Sequence, residues 1–239
     1  TVNVAIGRGA LGALTTSSYN TGVGYDAGRQ VTTGDSNTFL GYQSGDAVTT
    51  GTQNVFIGQA AGGAQTTASQ NTAVGYAALD AVTTTGQHTA MGHNALSACT
   101  DGTNNTAFGS QAGLSVTTGS SNTLIGAYAG DAITTSPSNT IVGHNAGSAI
   151  STGSGENVVI GNNAAAAMTT AAQNIIIGDN AAAGAAVTGA LNTIMGDNAG
   201  YNLTSGAGNT ILGGGAGGAI TTGSNNVFIG YLAGDANTT

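Results

Sequence analysis

The chain has 239 residues, of which 42 are Gly; charged residues make up 5%, aromatic residues 5%, and Trp is absent. Soluble domains carry about 25% charged residues, so an ordinary enzyme composition is excluded, and an internal repeat decides between disorder and a repetitive fold. Arg8 and Arg29 against ten acidic residues give a net charge of −8, which excludes nucleic-acid binding because phosphate neutralisation needs clustered Lys and Arg.

A repeat exists. From Asn3 the motif N-T-x-(I/V/L)-G-x-x-A-G-x-A-V-T-T-G-x-x returns at Asn20, Asn37, Asn54, Asn71, His88, Asn105, Asn122, Asn139, Asn157, Asn174, Asn192, Asn209 and Asn226, every 17 residues with two steps of 18 from Asn139 and Asn174. Residues 1–239 therefore read as one repeat domain. Each extra residue is expected in a turn or bulge, near Gly153 to Glu156 and near Gly184 to Val187. Gly costs about 1 kcal/mol in a helix interior and Thr and Asn are poor helix formers, so a unit this rich in Gly, Thr and Asn cannot hold two helices. The expected fold is all-β: a parallel β-solenoid, or β-roll, of about fourteen 17-residue coils.

Along each unit the expected elements are a short strand at positions two to six and a second at ten to fourteen, joined by Gly- and Asn-rich turns. Asn at position one is expected to form a ladder between coils, interrupted once by His88. Position five is Gly in every copy, and position eight is Ala except at Ser44. Position four is apolar throughout, from Ile6, Val23 and Leu40 to Ile229, and is expected to be the core column, with a second apolar column at position twelve. Adjacent strand residues face opposite ways, so the mostly apolar position three is expected outside, as an interface made by Phe39, Phe56, Leu124, Ile141, Val159, Ile176, Ile194, Ile211 and Phe228. The alternative is that the bend at position five buries both columns.

The strings N-T-A-V-G-x-x-A (Asn71 to Ala78), N-T-L-I-G-x-x-A-G (Asn122 to Gly130) and N-V-F-I-G-x-x-A-G (Asn226 to Gly234) resemble the repeats of YadA-type trimeric adhesin heads and of phage tail-fibre shafts. The resemblance covers essentially the whole chain, which departs from the adhesin pattern by its longer unit and by the absence of coiled-coil heptads. It implies a β-roll that associates in threes and works outside the cell.

No catalytic constellation, cofactor site or metal site stands out, and the chain is expected not to be an enzyme. Cys99 lies at the apolar twelfth position, where a thiol behaves as a small hydrophobe. His93 and His144 share position six and read as surface residues. Asp46, Asp80, Asp131 and Asp235 share position ten; a calcium column there is weighed against a solvated acidic face. Tyr25, Tyr42, Tyr76 and Tyr231 share position six and are candidate glycan contacts. The T-T pair at positions thirteen and fourteen raises ice binding, but strand alternation would leave only one Thr column outside.

The expected function is a structural extracellular fibre or filament subunit, at a cell surface, in a secreted filament or on a virion. Its partner is expected to be itself, as a trimer or a head-to-tail filament joined through solenoid edges and the apolar stripe, with no nucleic acid and no membrane. The alternatives are a receptor- or glycan-binding adhesin head and an ice-binding solenoid. The first residue, Thr1, is read as the start of a mature or excised product.

Overall fold

The computed structural model describes residues 2–153 and 155–238. Two compact units, Thr1–Thr118 and Gly119–Thr239, divide the chain. The first carries β1 (Val4–Ile6), β2 (Thr21–Val23), β3 (Thr38–Leu40), β4 (Val55–Ile57), β5 (Thr72–Val74), β6 (Thr89–Met91) and β7 (Thr106–Phe108). The second carries β8 (Thr123–Ile125), β9 (Thr140–Val142), β10 (Val158–Ile160), β11 (Ile175–Ile177), β12 (Thr193–Met195), β13 (Thr210–Leu212) and β14 (Val227–Ile229). Within each unit every strand pairs in parallel with the next in sequence, position against position, as Phe39 pairs with Phe56 and Ile194 with Ile211. Each unit is therefore a parallel β-solenoid, and no helix occurs among the described residues.

Only one strand forms per coil, three residues long, where two were expected. The segment after it is a run of turns. Positions seven and nine take left-handed backbone, as at Gln43 (φ 53°) and Leu79 (φ 55°), and such residues cannot continue an extended chain. Short turn bonds follow, such as Val48 N–H to the Gly45 carbonyl at 3.1 Å. The backbone is nevertheless satisfied from coil to coil. Thr38 N–H reaches the Asn54 carbonyl at 2.8 Å, Gln30 N–H the Asp46 carbonyl at 3.2 Å and Thr32 N–H the Thr49 carbonyl at 2.9 Å.

The invariant Gly at position five turns the chain off the strand. Gly41 sits at φ 138°, and a Cβ there would come within 2.6 Å of the Gly58 carbonyl oxygen in the next coil. The two longer units absorb their extra residue in irregular backbone. Thr134 N–H meets the Ser151 carbonyl at 2.9 Å, and Glu156 N–H meets the Pro137 carbonyl at 3.2 Å as Ser36 N–H meets that of Ser18 at 3.1 Å. The slack therefore lies between Ser151 and Gly155, where Ser154 falls outside the described residues. In the other unit Gly184 N–H keeps its usual register with Tyr201 at 2.9 Å while Thr169 N–H reaches Val187 at 3.3 Å, which places the extra residue between Gly184 and Val187.

The two apolar columns of the strand are exchanged relative to expectation. Phe39, Phe56, Leu124, Ile141, Val159, Ile176, Ile194 and Ile211 are fully buried inside their own coils, and Phe228 in the last coil is half-buried. Position four faces out instead, with Leu40 46% and Phe108 53% exposed. The cause is the buried Asn of position one: with a period of two, an inward position one carries position three inward and leaves two and four outside. The expected interface column is the core, so it is not the surface another chain would meet.

A third core column went unread in the sequence. Position nine is buried and, except where Gly28 faces Gly22 and Gly113 faces Ala107, complementary in size to position three. Gly stands there beside Phe39 (Gly45) and Phe56 (Gly62), whereas Leu79 and Leu96 stand beside Ala73 and Ala90. A Cβ on Gly45 would enter the Phe39 ring and come within 2.9 Å of Phe56. The Leu residues hold left-handed backbone at a cost of about 1–2 kcal/mol each, which the 1.5–3 kcal/mol or so from burying each side chain offsets.

This complementarity generates a prediction. Ala73→Phe alone overfills its coil and should cost about 1–3 kcal/mol in urea unfolding. Adding Leu79→Gly should recover most of that loss, because the coil then meets its neighbours through the same pairings as Phe39 with Phe56 and Phe56 with Ala73.

Candidate functional site

The strand ladder gives each unit a regular outer face. It consists of position two, Thr in most coils, and position four, always apolar; neither position carries a charge in any of the fourteen copies. Side chains at both positions range from half-buried to exposed. In parallel strands equivalent side chains lie about 4.8 Å apart, so the apolar residues of position four form a ridge. The parity of this face follows from the buried Asn at position one, a direction that the sequence pattern does not state.

Beyond the glycine turn the side chains of position six line up beside this ridge. Tyr25 and Tyr42 stack with ring centroids 5.3 Å apart and planes 11° apart, Arg8 lies 5.6 Å over the Tyr25 ring, and Tyr76 stacks on His93 at 5.4 Å and 13°. The phenol edges reach solvent, whereas Tyr25 and Tyr42 cover one another's facing rings. Sugar stacking needs a free ring face; Tyr25 lies between Arg8 and Tyr42, and Tyr76 has one face against His93. Tyr231, in the last coil, is 81% exposed. The four candidate glycan residues are thus placed on the surface at one position, but as stacked pairs and a separate ring rather than a row of open platforms.

Two polar ladders run inside and along the flank. Asn37 donates its backbone N–H to Asn20 Oδ1 at 2.9 Å, and its Nδ2 donates to Asn20 Oδ1 at 3.1 Å and to the Gly51 carbonyl at 2.9 Å. The same set recurs at Asn54, Asn192 and Asn209. At the T-T pair the first Thr donates its hydroxyl to the carbonyl of its counterpart one coil on, as Thr15 to Thr32 at 2.9 Å and Thr49 to Thr66 at 3.1 Å. Because this segment bends instead of forming a strand, both Thr columns lie at the surface: Thr49 is half-buried and Thr50 exposed. The expectation of a single outer Thr column is corrected by that bend.

The position-ten carboxylates are half-buried at Asp46, Asp80 and Asp131, and exposed at Asp235. Burial raises the Asp80 carboxyl above its usual value, with the Gly63 backbone N–H pulling the other way. Asp46 is raised by burial against the pull of Arg29, and Asp131 by burial as well. Asp131 Oδ1 is buried without a hydrogen-bond partner. Among the described residues no three His, Cys, Asp or Glu side chains converge as metal ligands. Cys99 is buried in the position-twelve column, its thiol pushed up to about 11 by burial, and His93 and His144 lie on the surface.

No family model, curated protein or solved structure matches this chain.

Two predictions follow from the buried polar groups. Gln65 replaces the usual apolar residue of position twelve; its Oε1 accepts from Asn71 Nδ2 at 3.0 Å while its Nε2 has no partner. Removing an unsatisfied buried donor is worth about 1–3 kcal/mol, so Gln65→Val should raise the urea midpoint. A raised carboxyl means that the folded state binds its proton before the unfolded chain does, so ionised Asp80 works against folding at neutral pH. Asp80→Asn should therefore raise Tm at pH 7, and the gain should shrink as pH falls through the raised value towards 3.8.

Proposed function

We propose that this chain is a structural, self-assembling repeat protein, a subunit of an extracellular fibre or filament, whose copies associate side by side through the outer face of the strand ladder. The observation that carries this reading is the ridge at position four. It presents Leu40 and Phe108 to solvent in the first unit and Ile125 and Met195 in the second, in each case on a face without charge. Large apolar side chains exposed in register along a repeat are an interface signal, and a second copy offers the same ridge at the same spacing. The resemblance to adhesin-head and tail-fibre repeats supports a location outside the cell and three-fold association as one geometry. Scarce Arg and absent Lys leave trypsin few cleavage sites.

The test separates folding from assembly. Leu40→Asp and Ile125→Asp place a charge on the outer face, where it stays solvated in a free chain and unpaired in an interface. Sedimentation and negative-stain microscopy should show large assemblies for the wild-type chain and smaller species for the double variant, with the same circular dichroism. A monomeric wild-type protein at high concentration, or a double variant of unchanged size, would refute the reading.

A second reading is favoured by the T-T bend. Two surface Thr columns, broken by Ser151 and Val187 in the first and by Asp101 and Ser205 in the second, with hydroxyls such as that of Thr49 held by the next coil, form an array that can order water against an ice face. Thermal hysteresis at micromolar protein, lost in Thr50→Lys, would support it; freezing at the buffer's own point would remove it.

A further inference from the structure

The thirteen asparagines of position one have a single substitute, His88, and its geometry shows how an imidazole stands in for a carboxamide. His88 is 1% exposed. Its backbone N–H donates to Asn71 Oδ1 at 2.9 Å, as any ladder Asn does to the one before. Its Nε2 lies 2.9 Å from the Gly102 carbonyl, the counterpart of the carbonyl that Asn37 Nδ2 meets at Gly51. Its Nδ1 lies 3.3 Å from the Asn105 backbone N–H, where other coils offer Oδ1. A carbonyl only accepts and a backbone N–H only donates. The ring therefore carries its proton on Nε2 and a lone pair on Nδ1, and the neutral ring reproduces both roles of Asn.

The protonated ring cannot. An imidazolium donates from both nitrogens, so Nδ1–H would oppose the Asn105 N–H across a dry joint. We propose that His88 is an acid-sensitive latch in the first unit: proton uptake at Nδ1 releases the joint between β6 and β7 while the asparagine joints on other coils stay closed.

The surroundings support the latch. The same coil departs from the pattern twice more, with Cys99 in the apolar column and Asp101 where other coils carry Thr or Ser. The titratable groups packed about this joint are Cys99, whose thiol hydrogen-bonds with the Gly102 backbone and the Asn105 side chain, and Asp101 next to Gly102. Neither offers the closed ring a compensating charge: the thiol is neutral, and Asp101 is exposed at the surface. Burial lowers the His88 value from its usual 6.5, with the Gly102 carbonyl pulling back. The opened form then takes up the proton first, so the closed joint keeps its full stability above pH 6.5 and loses it as pH falls below that value.

Cys99 is the only cysteine and reports on the joint directly, because it is fully buried when the joint is closed. The probe is 4,4′-dithiodipyridine, which reacts with thiols at acid pH and is followed by released thiopyridone, on the full chain and on His88→Asn. The variant restores the residue that the other thirteen coils use, so it keeps the fold. At pH 7.5 both proteins should react slowly. At pH 5 the wild-type rate, corrected for the reagent's rate with a free thiol at each pH, should rise at least tenfold (about 1.4 kcal/mol), and the His88→Asn rate should not. Equal corrected rates for the two proteins at pH 5, whether both slow or both fast, would overturn the latch.

Discussion

A coil of 17 residues cannot satisfy its own backbone, and everything else in this protein depends on how the next coil does it for it. A coil buries no more than two large apolar side chains, worth about 1.5–3 kcal/mol apiece, against a backbone ordering cost of about 1–2 kcal/mol per residue. Inter-coil bonds such as Thr38 to Asn54 and Gln30 to Asp46, with the Asn ladder inside them, make the coil viable only as part of a stack. The ladder has a further effect. Because Asn at position one must point inward to reach both the preceding Asn and the carbonyl fourteen residues on, it sets the parity of the strand, and with it which apolar column is core and which is surface.

Packing then follows from size. Position three varies from Gly to Phe without disturbing the register because position nine varies in the opposite sense in most coils, Leu beside Ala and Gly beside Phe, while at Gly22 and Gly28 the space is filled by Leu11 and Phe39 of the adjoining coils. The left-handed backbone that position nine requires is natural for Gly and strained for Leu, so burial decides where Leu is tolerated. The same coil-to-coil register that orders the core delivers a regular outside: an uncharged face of Thr and apolar residues, stacked ring pairs at position six in the first unit, and paired Thr columns. A repeat selected for stacking thereby supplies a periodic surface suited to another periodic object, whether a second copy of the chain or a lattice.

Most of the architecture was legible in the sequence. The recurrence of Asn3, Asn20 and Asn37, the invariant Gly at position five and the absence of helix-forming composition were enough for a parallel solenoid of 17-residue coils, and the Asn ladder and the places of the two extra residues were also readable. The candidate surface was legible only as a choice between two columns. Apolarity alone favoured position four as core, because Ile, Val and Leu recur there while position three includes Ala and Gly; the opposite holds, and Ala5, Ala73 and Ala90 are matched by Leu11, Leu79 and Leu96 at nine.

What the sequence by itself determined is the period, the strand class and the stacking, because these rest on residue types that recur at fixed spacing. What only the tertiary structure decided is the direction of each column, the bend that replaces the second strand and the tautomer of His88. Those depend on left-handed turns at positions seven and nine and on partners about 17 residues away, whose geometry no local pattern expresses.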